Sequence, residues 1–267
     1  MALYVSLFIT IAAFSTLWAM SLKREDLGII DIYWGPGFAV IGAVHLWLLE
    51  SPTSGQIIFY LLTLTWALRL GGYLYIRHRL SHGEDRRYRA MRENGGQDFW
   101  WKSLFKICWL QAVIMWVVAT PQHTGLAVLD GDLNSILFGM GIMIALVGLA
   151  IETIADMQLY RFKQNRSSPD AICVEGLWRY SRHPNYFGEV LVWIGFGLGG
   201  FALSGSYWAF LGPALIIFLL IKVSGVALLD RHLSAAKPDY AAYASRTSAL
   251  IPWPRRSEAA KKEKPAP

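Results

Sequence analysis

Long apolar stretches recur along the chain, separated by shorter polar segments. Seven of them lie at about 3–21, 28–49, 56–76, 101–120, 135–157, 186–203 and 207–228. Each is close to the roughly 17–25 residues that a helix needs to cross bilayer hydrocarbon. The fourth carries the weakest signal for a span, since Lys102 and Lys106 fall within it. Only Ser204-Gly205-Ser206 separates the last two, which predicts a tight antiparallel pair. A helix satisfies its own backbone hydrogen bonds in lipid, so the pattern predicts an all-α, polytopic bundle of seven transmembrane helices.

Charge orients the bundle. With the N-terminus outside, the outer connections are 50–55, 121–134 and 204–206, and none contains Lys or Arg. The inner segments 77–100, 158–185 and 229–267 are long and basic. This positive-inside pattern predicts an N-out/C-in protein whose polar, site-building chain faces the cytoplasm. If the source is bacterial, the membrane is the inner one. The last residues, 255–267, read as a flexible basic tail that either touches anionic lipid or is simply solvated. Composition agrees with a membrane protein: 54% of residues are hydrophobic and 16% charged, against about 25% charged in ordinary soluble domains. For the net charge of +6 two readings therefore compete, a topology signal and a site for an anionic cofactor, with no nucleic-acid partner. Cys108 and Cys173 fit no metal-ligand spacing, and no metal site is expected.

Ionisable residues inside spans are costly and point to function. Here they are Asp31, Arg69, Glu152, Asp156, Glu189 and Lys222, all toward the inner ends. Asp31, Tyr33 and Trp34 open the second span just before Gly35-Pro36-Gly37, which predicts a bend or a close approach there. Arg69, Tyr73 and Arg77 share a face of the third span, and Glu152, Asp156, Tyr160 and Lys163 a face of the fifth. The densest signal runs from Glu175 to Glu189. Arg179, Arg182 and His183 precede Pro184, a good first residue for a helix whose N-terminus favours anions. Asn185 and Glu189 then share a face, and Asp230, Arg231, His232, Tyr240, Tyr243 and Arg246 follow the last span. Together these groups can clamp a large anionic, partly aromatic molecule. The run Gly195–Gly200 follows no strand and reads as close helix packing.

The block from Gly176 to Glu189 (GLWRYSRHPNYFGE) resembles the signature of the membrane steroid 5-alpha-reductase and sterol reductase superfamily. More narrowly, the chain is similar to bacterial steroid 5-alpha-reductase-like membrane proteins. Trp66–Tyr73, Gly83–Tyr88 and Tyr240–Pro252 carry further matches, so the resemblance spans nearly the whole chain. It implies a seven-helix bundle, helices within 1–120 around a lipophilic substrate and 121–254 holding the cofactor. It implies NADPH-dependent reduction of a carbon–carbon double bond conjugated to a ketone, as in a 3-oxo-delta4-steroid. Carried over by position, the cofactor site includes Asp156, Arg182, Asn185, Tyr186, Glu189, Arg231 and Arg246, with Tyr73 and Arg77 from the third helix. Tyr160, Lys163 and Arg179 join them, beside His183, Tyr240 and Tyr243. Relatives bind the substrate carbonyl with a Gln-Glu pair and a third-helix Tyr. This chain has Asp31 and Tyr33 near the first and Trp66 near the second, which makes Tyr33 and then Asp31 the candidate donors. The implied partners are a lipophilic small molecule and membrane lipids, with the oligomeric state open, a monomer included. Two rivals stand: a membrane S-adenosylmethionine-dependent methyltransferase of the isoprenylcysteine carboxyl methyltransferase type, which shares a related block, and a lipid-binding protein without catalysis. Gly83, Gly95 and Gly96 suit the segment 77–100 to act as a lid.

Overall fold

The computed structural model describes residues 1–80, 83–128, 134–168, 170–223 and 225–255. Most of the expected basic tail, 256–267, lies outside the described residues. The described chain is helical, and six stretches are long and apolar enough to cross a membrane: Ala2–Arg24, Ser54–Leu80, Phe99–Val118, Ser135–Asn165, Pro184–Ser204 and Tyr207–Ala236. The protein is thus an integral, multi-pass membrane protein by length and composition of its helices. In chain order we label Ala2–Arg24 α1, Ile29–Ile32 α2, Trp34–Trp47 α3, Ser54–Leu80 α4, Arg86–Gly95 α5, Phe99–Val118 α6, Thr120–Gly125 α7, Ser135–Asn165 α8 and Pro184–Ser204 α9. Leu211–Phe218 is α10, Val226–Ala236 α11 and Tyr240–Arg246 α12.

The second apolar run differs from expectation. It is not one continuous helix but breaks at Tyr33, between α2 and α3. Pro36 is the cause: it has no N–H to offer the carbonyl of Ile32 four residues earlier. Tyr33 N–H instead closes on Ile30 O at 3.1 Å, and a new ladder starts with Gly37 N–H on Tyr33 O at 2.8 Å. At about 1.5 Å per residue, the 14 residues of α3 fall short of the roughly 30 Å hydrocarbon core.

The chain forms two compact units. The first comprises Met1–Ile142 with Gly195–Pro213, the second Met143–Ile194 with Ala214–Pro267. In the first, the Gly-Pro-Gly turn does admit a close neighbour: a Cβ on Gly35 would collide with Ala67 O, and one on Gly71 would sit 2.8 Å from Pro36. α3 and α4 therefore pack backbone to backbone. Around them Trp66 is 1% exposed between Phe38 and Phe196, each with ring centroid 5.7 Å away. Trp66, near the expected third-helix Tyr, is thus a core residue. The glycines of 195–200 pack as expected, since a Cβ on Gly141 would stand 2.8 Å from Gly199 N.

In the second unit, α8 and α9 meet at Gly148 and Gly188. A Cβ on Gly188 would lie 2.5 Å from Glu152 N and 2.7 Å from Gly148 O. This contact brings the polar face of α8 beside the first turn of α9. We expect Gly188→Ala to destabilise the protein by about 1–3 kcal/mol through overpacking. Gly72→Ala, whose Cβ would meet nothing within 4 Å, should be neutral or stabilising by up to about 1 kcal/mol. Thermal melts of the purified variants check both.

Candidate functional site

Within the second unit, three elements converge on Asp230. Its Oδ2 lies 3.1 Å from Arg182 Nη1, and its Oδ1 accepts from His183 Nε2 at 2.9 Å and from Tyr240 OH at 2.5 Å. The sequence places them well. Pro184 opens α9 as predicted, and Ser181 Oγ accepts the His183 N–H at 3.1 Å just before it. Gly176, at φ +56°, turns the chain where a Cβ would strike the Gln158 amide. Leu177 N–H bonds Gln158 Oε1 at 2.9 Å, and Trp178 Nε1–H bonds Ala155 O at 3.0 Å. The chain end then runs beside the block. Arg182 N–H bonds Ser248 O, Ser181 OH bonds Leu250 O and Trp253 N–H bonds Tyr180 O, at 2.9, 2.7 and 3.0 Å.

The predicted groups divide under this geometry. Asp156, buried on α8, accepts from Asn185 Nδ2 at 3.2 Å, and the Tyr186 ring stacks on His183 at 5.5 Å. Glu189 follows one turn later, half-buried. Tyr240 and Tyr243 each donate the hydroxyl proton to an acceptor within the protein. Tyr240 holds Asp230, and Tyr243 OH bonds Trp178 O at 2.6 Å, so both brace the block. Burial raises both phenol pKa values above the ordinary range, helped by the hydrogen bond to Asp230 at Tyr240 and by the neighbouring Cys173 at Tyr243. Tyr160, Lys163, Arg179, Arg231 and Arg246 are exposed around this core. Asp230, which the sequence placed only in a loose cluster, is the hub.

Its pairing changes the electrostatics. Arg182 is matched by the Asp230 carboxylate, so the block is not a bare phosphate trap. It does keep three buried polar atoms without partners: Arg182 Nε, His183 Nδ1 and Asn185 Oδ1. Because Asp230 takes the Nε2–H, a neutral His183 has a bare lone pair at Nδ1. Two acceptors and a donor thus stand unpaired within four residues.

Asp31, Tyr33, Tyr73 and Arg77 belong to the first unit. Tyr73 lies under Arg69, with the guanidinium carbon 5.6 Å from its ring centroid. Arg77 and Asp31 line a small cleft of about 70 Å³ with Gly28, His78 and Asp85. Asp31 accepts on both oxygens, from Tyr88 OH at 2.5 Å and Arg87 Nη2 at 3.0 Å. Tyr88 OH accepts from Gln111 Nε2 at 3.2 Å, and Gln111 Oε1 from Trp34 Nε1 at 2.7 Å. A chain of hydrogen bonds Trp34–Gln111–Tyr88–Asp31 therefore leads to this cleft. Asp31 is thus held by Arg87 on one oxygen and by Tyr88 on the other. Tyr88, 6% exposed, is the residue that sequence reasoning missed, although it ends the quoted Gly83–Tyr88 stretch. The Tyr33 hydroxyl has no hydrogen-bond partner among the described residues, and its ring meets Phe14 edge-on at 5.6 Å. Within the expected lid, residues 83–95 fold onto the 26–31 turn. Glu84 accepts from Leu27 N–H at 3.0 Å and Arg92 Nη2 at 2.8 Å. Burial opposes the Glu84 charge, yet these bonds and Arg89 hold its carboxyl below the usual range.

Burial lowers the His183 pKa, against the upward pull of Asp230 and with help from Arg182. Below about pH 6.5 the unfolded chain then binds a proton that the native protein resists. The stability from this site is complete above that pH and is lost as pH falls through the lowered native value. We expect a melting temperature that drops from about pH 7.5 to about pH 5, with a shallower drop in His183→Asn.

A relative in Schizosaccharomyces pombe, an uncharacterized protein, is 24% identical over 283 residues, covering 93% of this chain and 79% of its own length. No solved structure matches the chain. The family described as "Protein of unknown function (DUF1295)" matches residues 17–247, a span that runs from before Asp31 to past Arg246. The chain belongs to this family.

Proposed function

We propose that the protein is a membrane reductase that uses NADPH to saturate a double bond conjugated to a ketone in a lipophilic substrate, most readily a 3-oxo-delta4-steroid. Its family includes steroid 5-alpha-reductase-like proteins, which supports the class. The observation that carries the reading is the chain Trp34–Gln111–Tyr88–Asp31 within a largely apolar helical unit. Reducing an enone consumes a proton as well as a hydride, and methyl transfer to a carboxylate needs no proton donor.

NADPH would supply the hydride. Asn185, His183 and Arg182 would bind its uncharged polar groups through the three unpartnered atoms, and Asp230, Tyr240 and Tyr243 would hold that block in place. In the first unit, the uncommitted Tyr33 hydroxyl would meet the charge that develops on the ketone oxygen. Stabilising such charge with a positioned donor is the large catalytic contribution. Tyr88 and Asp31 would return the proton from the cleft beside Arg77. We also infer that 28–49 makes a seventh crossing despite its break, in an N-out/C-in protein with its site toward the cytoplasm. The absence of Lys and Arg from 50–55, 121–134 and 204–206 supports that orientation.

One observation favours the methyltransferase instead: Arg182 and His183 are already matched by Asp230, and S-adenosylmethionine carries no phosphate. Turnover of NADPH with a panel of steroid and other enone lipids, followed by product analysis, separates the two. We expect saturated ketone from the wild type. Tyr33→Phe should lower kcat by about 10²-fold or more, the usual worth of a positioned proton donor. Tyr88→Phe should lower it less and shift its pH profile. Methylated product from S-adenosylmethionine, or full turnover in Tyr33→Phe and Asp31→Asn alike, would overturn this assignment.

A further inference from the structure

A second cavity in the second unit is used by none of the roles above. It measures about 520 Å³, within the roughly 300–1,000 Å³ typical of small-molecule sites. The last turns of α8 supply Gln158, Arg161, Phe162 and Arg166, and the following segment supplies Ala171 to Gly176. Lys237, from the end of α11, reaches the same segment and donates to Ala171 O at 2.5 Å. The Lys237 ammonium thus stands against the backbone of the lining segment, while Arg161 and Arg166 of α8 line the cavity itself. The acids beside it, Glu175 on the lining and Asp170 near Lys237, are both exposed.

The cations are not all neutralised internally. Arg161 makes no hydrogen bond or ion pair among the described residues. Burial, then the Arg166 charge, lowers the Lys237 ammonium below the usual lysine range, while Asp170 pulls the other way. Arg166 and Lys237 thus repel, which a bound anion would relieve. The carbonyls at the end of α8 attract cations too, but they do not account for Lys237, which comes from another element. The contrast with the block is direct, since Arg182 already has its carboxylate.

We propose that this cavity, and not the Arg182–Asp230 cluster, binds the phosphate monoester of an anionic ligand, through Arg161 and Arg166. The Phe162, Ile172 and Val174 walls suit an aromatic or acyl group attached to that phosphate. Two sources share this chemistry: the 2′-phosphate of the dinucleotide and the headgroup of an anionic lipid. The first rests on the reductase reading; the second does not.

Equilibrium binding to the purified full-length protein tests it with two matched pairs. NADP⁺ and NAD⁺ differ by one phosphate. Phosphatidylcholine nanodiscs with and without phosphatidic acid differ by one phosphomonoester lipid. We expect the wild type to prefer the phosphate-bearing member of at least one pair. In Arg161→Gln and Arg166→Gln that preference should shrink by about tenfold, as for the loss of one charge-assisted hydrogen bond. Arg161→Lys should restore part of it, and Arg182→Gln should weaken NADP⁺ and NAD⁺ alike. Size-exclusion profiles confirm that each variant is folded. A preference confined to phosphatidic acid upholds the pocket while the reductase reading fails. No preference in either pair, or one that survives Arg161→Gln and Arg166→Gln, overturns the pocket. So does one that is lost only in Arg182→Gln.

Discussion

A charge inside an apolar helical bundle must be matched, and that requirement organises this protein. A buried carboxylate or guanidinium left alone costs several kcal/mol, so such groups are found in hydrogen-bonded sets. Asp230 and Asp31 each centre such a set. Asp230 gathers Arg182, His183 and Tyr240, and through them fixes the turn that begins α9. Asp31 gathers Tyr88 and Arg87, and through them ties the segment 83–95 to the break between α2 and α3. The glycines at helix contacts serve the same end. Gly188 and Gly148 let backbones touch, and that brings buried Glu152 and Asp156 to the side of α9 where Asn185 can bond.

Much of this was written in the sequence, but unevenly. Apolar length alone marked the crossings, because a bilayer imposes it. The break at Tyr33 could also be deduced, since Pro36 withholds one N–H from Ile32. The bend was expected from the Gly-Pro-Gly run, yet its consequence, a 14-residue α3, was not. The block around Arg182-His183-Pro184 was legible as a helix start with polar residues on one face. What could not be read was who neutralises whom. Asp230 lies 47 residues from His183, and no local spacing ties them. Tyr88 was hidden for the same reason: its partners Asp31 and Gln111 lie 57 and 23 residues away. Tyr240 and Tyr243 looked like ligand-clamping groups because their spacing puts both on one helical face. In the fold that face turns to the block, and their hydroxyls are spent on Asp230 and the Trp178 carbonyl.

The functional proposal follows from what those sets leave over. In the second unit the unspent atoms of the block are polar and mostly uncharged, which suits an amide and hydroxyls, while Arg161, which makes no hydrogen bond or ion pair among the described residues, lies at the other cavity. In the first unit the Tyr33 hydroxyl has no hydrogen-bond partner among the described residues, and a separate chain of hydrogen bonds ends on the Asp31 carboxyl at a cleft. A cofactor with both phosphate and amide groups, and a substrate whose reduction takes up a proton, would use all of these.

Binding of NADPH and of S-adenosylmethionine to the purified full-length protein in mild detergent tests the central claim most directly. Nucleotide fluorescence and thermal shift report it without knowledge of the substrate. The account predicts saturable, selective binding of NADPH with an upward shift in melting temperature. Selective binding of S-adenosylmethionine with no response to NADPH would contradict it and make the Arg182-His183-Pro184 block a methyltransferase site.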